Sequence, residues 1–181
     1  MKIKSLPIQG SYEVELSPFG DSRGIFKRLF CREELKKIIS KKEIAQVNFS
    51  ETYSKGSIRG MHFQKPPNSE IKLIHCIQGS VFDVIIDLRR SSKTFLHWNA
   101  IELSNENNNM IIIPEGCAHG FQSLDEHSKL IYFHSEYYKP ESESGIKYDD
   151  PLINIKWPLD ISNISIRDES HTYLEETFKG L

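Results

Sequence analysis

The chain has 181 residues, of which 38% are hydrophobic and 27% charged, with a formal net charge of −2. This length suits one domain spanning residues 1–181 around its own core. The near-neutral balance excludes the basic field that nucleic acid or an anionic membrane surface would need, though a few local arginines can still hold a small anion.

In chain order, the first extended segment is Ile8–Leu16, which ends at the turn signal Ser17-Pro18-Phe19-Gly20-Asp21. Glu33–Ser40 reads as a helix. Leu35, Ile38 and Ile39 form one stripe, and Glu33 and Glu34 precede Lys36 and Lys37 as the helix dipole favours. Ile44–Phe49 precedes a loop at Ser54-Lys55-Gly56, and Leu73–Ile77 ends at Gln78-Gly79-Ser80. In Val81–Leu88, Val81, Asp83, Ile85 and Asp87 alternate with Phe82, Val84, Ile86 and Leu88, so one strand face is apolar and the other carries two carboxylates. Phe95–Leu103, Met110–Ile113 and Lys129–His134 are further short extended runs. Thr172 is placed to cap a short C-terminal helix with Leu174 and Phe178 four apart. Short strands with a turn every ten residues or so indicate an all-β sandwich or barrel, and of these we expect two packed antiparallel sheets with small peripheral helices.

Cys31, Cys76 and Cys117 form no CxxC pair. This argues against a disulfide framework or zinc knuckle and for free thiols in a reducing compartment. No apolar run approaches the ~20 residues of a spanning helix. A cytoplasmic protein with no membrane partner is therefore expected.

The chemistry-bearing residues cluster in a few places. After Met110–Ile113 comes Pro114-Glu115-Gly116-Cys117-Ala118-His119-Gly120-Phe121. Proline ends ladder pairing and glycine permits a tight turn, so the next strand re-enters with His119 aimed inward. The spacing Pro-x-Gly-x-x-His resembles the second sequence motif of the cupin barrel. The first cupin motif supplies two histidines one residue apart. Here the matching stretch is Arg59-Gly60-Met61-His62-Phe63-Gln64, with Gln64 where the second histidine would stand. His62 and His119 alone make a poor metal site, so no metal is expected. Gln46 and Asn48 lie at i and i+2 and share a strand face. Arg59, His62 and Lys72 offer anion binding, proton transfer and oxyanion stabilisation.

From about Asp21 to Asp168 the chain resembles the dTDP-4-dehydrorhamnose 3,5-epimerase family, sugar-nucleotide isomerases with a jelly-roll cupin fold. The segments that carry the likeness are Asp21–Phe26, Gln46–Ser50, Ile58–Gln64, Lys72–Ile74, Gly79–Val84, Asp87–Arg89, Ile113–Phe121, Tyr132 with Tyr138-Lys139-Pro140, Asp149–Pro151, Ile155–Pro158 and Ser165–Asp168. The resemblance implies that His62 is the general base, Asp168 its orienting partner and Tyr132 the acid on the opposite face of the sugar. It implies that Lys72 and His119 contact the sugar. Arg23 and Arg59 would hold the diphosphate, with Arg23 contributed by a neighbouring subunit, so a homodimer is expected. Gln46 and Asn48 match further nucleotide-sugar contacts, Tyr138 a stacking residue of the nucleotide site, and Glu143 and Arg167 two outer binding positions. The expected substrate is a nucleotide-diphosphate 4-keto sugar, inverted at C3, C5 or both through an enolate, with no cofactor.

His75, His97, His127, His134 and His171 match no catalytic motif and read as structural or surface residues. Two positions depart from the family pattern. Arg28 stands where a glutamate usually contacts the base, and Glu70 where many members carry glutamine. Set against the family pattern, the charge reversal at Arg28 suggests CDP or GDP rather than dTDP as the nucleotide. Two other readings stand beside the epimerase: a metal-dependent cupin oxygenase or isomerase, and a noncatalytic sugar-nucleotide binding protein.

Overall fold

A computed structural model describes residues 1–181. In chain order the elements are β1 (Lys2–Ser5), β2 (Tyr12–Glu15), β3 (Phe19–Asp21), β4 (Gly24–Phe26), α1 (Arg32–Ile39), β5 (Gln46–Thr52), β6 (Ile58–Gln64), β7 (Lys72–Gln78) and β8 (Ser80–Asp87). They continue with β9 (Trp98–Ser104), β10 (Asn109–Ile113), β11 (Cys117–Ser123), β12 (Ser128–His134), β13 (Glu143–Gly145) and α2 (Ile166–Glu169). A six-stranded sheet, ordered β1-β2-β10-β7-β12-β5, packs on a five-stranded sheet ordered β13-β6-β11-β8-β9, and β3 and β4 form a separate hairpin. Every ladder is antiparallel. This is the expected jelly roll.

The period-two alternation of the strands sorts their side chains between the inside of the sandwich and its two outer faces. Ile74, Cys76, Val81, Ile85, Leu103, Ile111, Ile113, Cys117, Phe121 and Leu130 point inward and form one buried cluster. The alternate residues Leu73, Met110 and Ile112 face outward from the six-stranded sheet, where Leu35 and Ile39 of α1 cover them. Val84, Ile86, Leu88, Met61 and Ala118 face outward from the five-stranded sheet and are covered by Ile146, Ile153 and Ile155. Each fully buried aliphatic side chain contributes roughly 1.5–3 kcal/mol. The apolar face expected on Val81–Leu88 is therefore the outer one, and its carboxylate face looks into the sandwich.

The structure revises several boundaries. Ile8–Leu16 contains a turn, and only Tyr12–Glu15 is strand. Phe95–Leu103 begins pairing at Trp98, after Leu96 adopts a positive φ of 59°. The helix expected after Thr172 is absent. That segment is held by tertiary bonds instead: Lys147 donates to the Thr172 carbonyl, and the Leu174 N–H donates to Asp150. Leu174 and Phe178 pack against the outer face of the five-stranded sheet from an irregular backbone. Burial of the two side chains needed no helix there.

Candidate active site

One end of the sandwich interior is apolar. The other opens into a cavity of about 730 Å³. The six-stranded sheet supplies one wall. Gln46, Asn48 and Ser50 lie on β5, and Asn48 and Gln46 pair directly with Tyr132 and His134 on β12. Lys72 opens the neighbouring strand β7 and pairs with His134. The five-stranded sheet supplies the opposite wall through Arg59 and His62 on β6 and His119 on β11.

Two local features aim the second wall. His62 and His119 are cross-strand partners, and a register shift follows, so that Phe121 pairs with Arg59. The extra residue in β6 lets Arg59 and His62, three apart, reach one cavity. Gly60 and Gly120 permit the close approach there. A Cβ on Gly60, whose φ is +137°, would lie 2.5 Å from the Gly120 Cα, and one on Gly120 would lie 2.8 Å from the Arg59 carbonyl.

His62 Nε2 donates to Asp168 Oδ1 at 2.8 Å, and Asp168 Oδ2 accepts from the Gly60 N–H at 3.0 Å. Burial alone would raise the Asp168 pKa. The hydrogen bond and charge of His62, the Gly60 N–H and Arg167 outweigh it and hold the carboxyl well below its ordinary range. Asp168 comes from α2, where Ser165 accepts from the Asp168 N–H at 3.1 Å and so caps the helix. The second ring nitrogen of His62 makes no protein hydrogen bond. On the opposite wall the Tyr132 hydroxyl shares a hydrogen bond with Ser50 at 3.0 Å. Burial pushes its pKa well above the ordinary phenol value, so the hydroxyl keeps its proton.

Between the walls, His119 Nε2 donates to Asp83 Oδ2 at 2.8 Å, with both residues buried. Burial raises the Asp83 pKa and lowers that of His119, drawing both towards their neutral forms. Lys72 is buried, lies 3.3 Å from Glu70, and donates to the His62 carbonyl at 3.3 Å. Arg59 is fixed by bonds to Thr52 at 2.9 Å and the Glu51 carbonyl at 3.0 Å. At the mouth, the Tyr138 hydroxyl donates to Glu143 at 2.7 Å, and Glu143 pairs with Arg167 at 3.1 Å.

Every site residue expected from sequence lines this cavity except Arg23. Arg23 lies on the exposed β3–β4 hairpin, 2.6 Å from Asp21. Sequence reasoning assigned no site role to Asp83 or to two histidines, and marked Glu70 only as a departure from the family pattern. Asp83 had a signal, as one of the two carboxylates on the inward face of β8. His134 was read as structural or surface, but it lines the cavity, donates to Glu70 at 2.8 Å and stacks on Tyr132 at 6.1 Å between ring centroids. Its place two residues after Tyr132 on one strand was the available signal. His171 lies against His62, with ring centroids 5.7 Å apart.

The residues do not fit a cupin metal. The Gln64 amide donates to the carbonyls of Asn68 and Tyr137 and accepts from the Lys139 N–H, so both ends of the side chain are engaged by backbone groups. His62, Asp168 and His171 do converge. However, the Arg167 guanidinium lies 3.1 Å from His62 Nε2 and 3.3 Å from Asp168 Oδ1, and sets a fixed positive charge among those atoms.

A family model described as dTDP-4-dehydrorhamnose 3,5-epimerase matches residues 5–176. The chain belongs to the dTDP-4-dehydrorhamnose 3,5-epimerase family. It is 38% identical to the dTDP-4-dehydrorhamnose 3,5-epimerase of Salmonella typhimurium, over 90% of each chain. It is 32% identical to the dTDP-4-dehydrorhamnose 3-epimerase of Streptomyces niveus, over 97% of this chain and 85% of that one. Its fold superposes with a TM-score of 0.90 on the dTDP-6-deoxy-D-glucose-3,5-epimerase of Legionella pneumophila in complex with dTDP-4-keto-L-rhamnose, at 35% identity over 95% of this chain and 92% of that one. The protein is thus an isomerase of the epimerase kind. No helix in this epimerase is long and apolar enough to cross a membrane.

Proposed function

We propose that this epimerase inverts C3, C5 or both on a dTDP-linked 4-keto-6-deoxy sugar, with His62 as base and Tyr132 as acid. One observation carries the reading: an imidazole oriented by a carboxylate and a protonated phenol face one cavity from opposite sheets. Inversion requires a proton to leave one face of the carbon and another to arrive on the other. The C4 ketone acidifies the neighbouring C–H. The free nitrogen of His62 takes that proton, and the C–H electron pair moves into the carbonyl to give an enolate. Asp168 fixes the tautomer and steadies the imidazolium. The Lys72 ammonium balances the enolate oxygen, and His119, held by Asp83, lies against the same ring. The Tyr132 hydroxyl then delivers a proton to the opposite face as the carbonyl reforms, and solvent exchange resets both groups. No electron leaves the substrate, so the cycle needs no redox cofactor.

Gln46, Asn48, Arg59, Tyr138, Glu143 and Arg167 would hold the nucleotide diphosphate across the mouth. The nucleotide is taken as dTDP because the relatives named above act on, or hold, dTDP sugars. Arg28, the departure that opened CDP and GDP, is paired with Glu34 of α1 at 3.0 Å on the surface. Arg23 would complete the diphosphate site from a second copy. The β3–β4 hairpin leaves Phe19, Ile25 and Phe26 about 70% exposed, and the edge strand β5 leaves Val47 and Phe49 more than half exposed. Such apolar surfaces favour an exchange of hairpins in a homodimer.

The test is incubation with the dTDP-4-keto sugar in heavy water, followed by NMR. Deuterium should enter at C3, C5 or both, and His62→Ala should abolish it. Full incorporation by His62→Ala overturns the assignment of the base, and a clear preference for CDP or GDP sugars overturns that of the nucleotide.

A further inference from the structure

One flank of the His62–Asp168 pair is closed by a residue that no motif singles out. His171 follows α2, and its imidazole stands edge-on to His62, with an interplanar angle of 73°. The space for it comes from β13. Gly145 is the cross-strand partner of His62, and a Cβ on Gly145 would lie 2.2–2.5 Å from three atoms of the His171 ring. The ring therefore occupies the volume a side chain at 145 would take. His171 Nε2 is buried without a hydrogen-bond partner, and the oxygen it faces is Asp168 Oδ1 at 4.0 Å, the same oxygen that accepts from His62. With no hydrogen bond to hold that nitrogen, the ring is fixed there by its packing against Gly145 and His62. The charged groups around it are His62 on β6, Asp168 and Arg167 on α2, and Glu143 on β13. Burial, then the charge of His62, lowers the pKa of His171, so it sets no competing cation beside the carboxylate at neutral pH.

We propose that His171 is a positioning residue for the epimerisation: wedged between Gly145 and His62, it holds the His62 ring plane against Asp168 and closes that flank to water. The proposal rests on His62 being the base. It needs no contact between His171 and substrate, and so predicts an effect on turnover rather than on binding.

The experiment compares His171→Ala, His171→Phe and Gly145→Ala with the full wild-type chain. His171→Ala should lower kcat roughly 10- to 100-fold, the range for losing an orienting partner, with KM within about twofold. His171→Phe keeps an aromatic wedge without its nitrogens and should recover most of kcat. Gly145→Ala should evict the ring and reproduce the kcat loss in a chain that keeps His171, which guards against a folding failure of the first variant. In proton NMR the His62 Nε2–H signal should exchange with water faster in His171→Ala than in wild type. Wild-type kcat in both His171→Ala and Gly145→Ala, or a loss confined to KM, overturns the proposal. If His62→Ala itself keeps full activity, the assignment of the base has failed instead.

Discussion

Asp168 gathers more polar contacts than any other residue of the site, and its two oxygens divide them. One receives His62 and lies near Arg167 and His171, and the other receives the Gly60 N–H. That arrangement fixes the His62 tautomer, as a catalytic base requires. Tyr132 has the complementary environment, buried and bonded to a neutral hydroxyl, so its hydroxyl stays protonated, as the proposed acid requires. Tyr132→Phe should therefore lower inversion by roughly 10²–10⁴-fold while His62 still removes the substrate proton. Deuterium exchange with retained configuration, outlasting product formation, is the expected NMR result, and equal loss of exchange and inversion would contradict it. His62, Tyr132 and Asp168 were legible because they stand in ordered motifs. His171 and His134 were not, because the partners His62 and Glu70 that tie them to the site are far from them in sequence. The Glu70–His134 pair shows this, since 64 residues separate its members.

At the scale of elements, α2 is only four residues long, yet it carries both Arg167 and Asp168. A helix so short has little stability of its own. Its geometry depends on the Ser165 cap, which meets the Asp168 N–H, and on the bond from Gly60 to the Asp168 carboxylate. Ser165→Ala should cost about 1 kcal/mol of stability and lower kcat more than it raises KM, because the capped N–H and the carboxylate belong to one residue, Asp168. Denaturant unfolding and steady-state kinetics on the same preparation check both effects. On β6, the extra residue opposite β11 is what aims Arg59 and His62 together. Strict alternation, read from sequence, would place residues three apart on opposite faces. The C-terminal segment errs in the other direction. Its i, i+4 spacing matches a helix, but Asp150 takes the Leu174 N–H and the backbone follows the sheet.

Across the whole molecule, carboxylates held low in the folded state tie stability to acid. Asp87 accepts from Arg89, Ser92 and Thr94, and these bonds outweigh its burial to bring its pKa down to about 2. Asp168 is lowered in the same direction. A depressed carboxylate contributes stability that is fully present above its unfolded value of ~3.9 and is lost as pH falls through the folded value. The thermal midpoint should hold steady from neutrality to about pH 4 and then drop towards pH 2. Asp87→Asn should lower the midpoint at neutral pH and flatten that drop, and an unchanged slope would contradict the assignment. At the same scale, Arg23 is exposed on its hairpin and does not line its own cavity. Arg23→Ala should raise KM roughly tenfold, the effect of losing one charge-assisted contact of about 1.5 kcal/mol, and leave kcat near wild type. Sedimentation should report a dimer for both proteins, and a wild-type monomer of full activity would remove Arg23 from the site.

The sequence by itself determined the fold class, the sheet-facing pattern of the long strands and most of the residues around the cavity, because period-two alternation and ordered motifs are local properties. It also marked Gln64 as the break in the metal motif. Only the tertiary structure decided which residues complete those groups: Asp83 beneath His119, Glu70 against His134 and His171 against His62. Each of these partnerships joins two separate strands or a strand and a distant loop. Such pairs are set by strand pairing and loop docking between segments far apart in the chain, and no spacing along the chain records them.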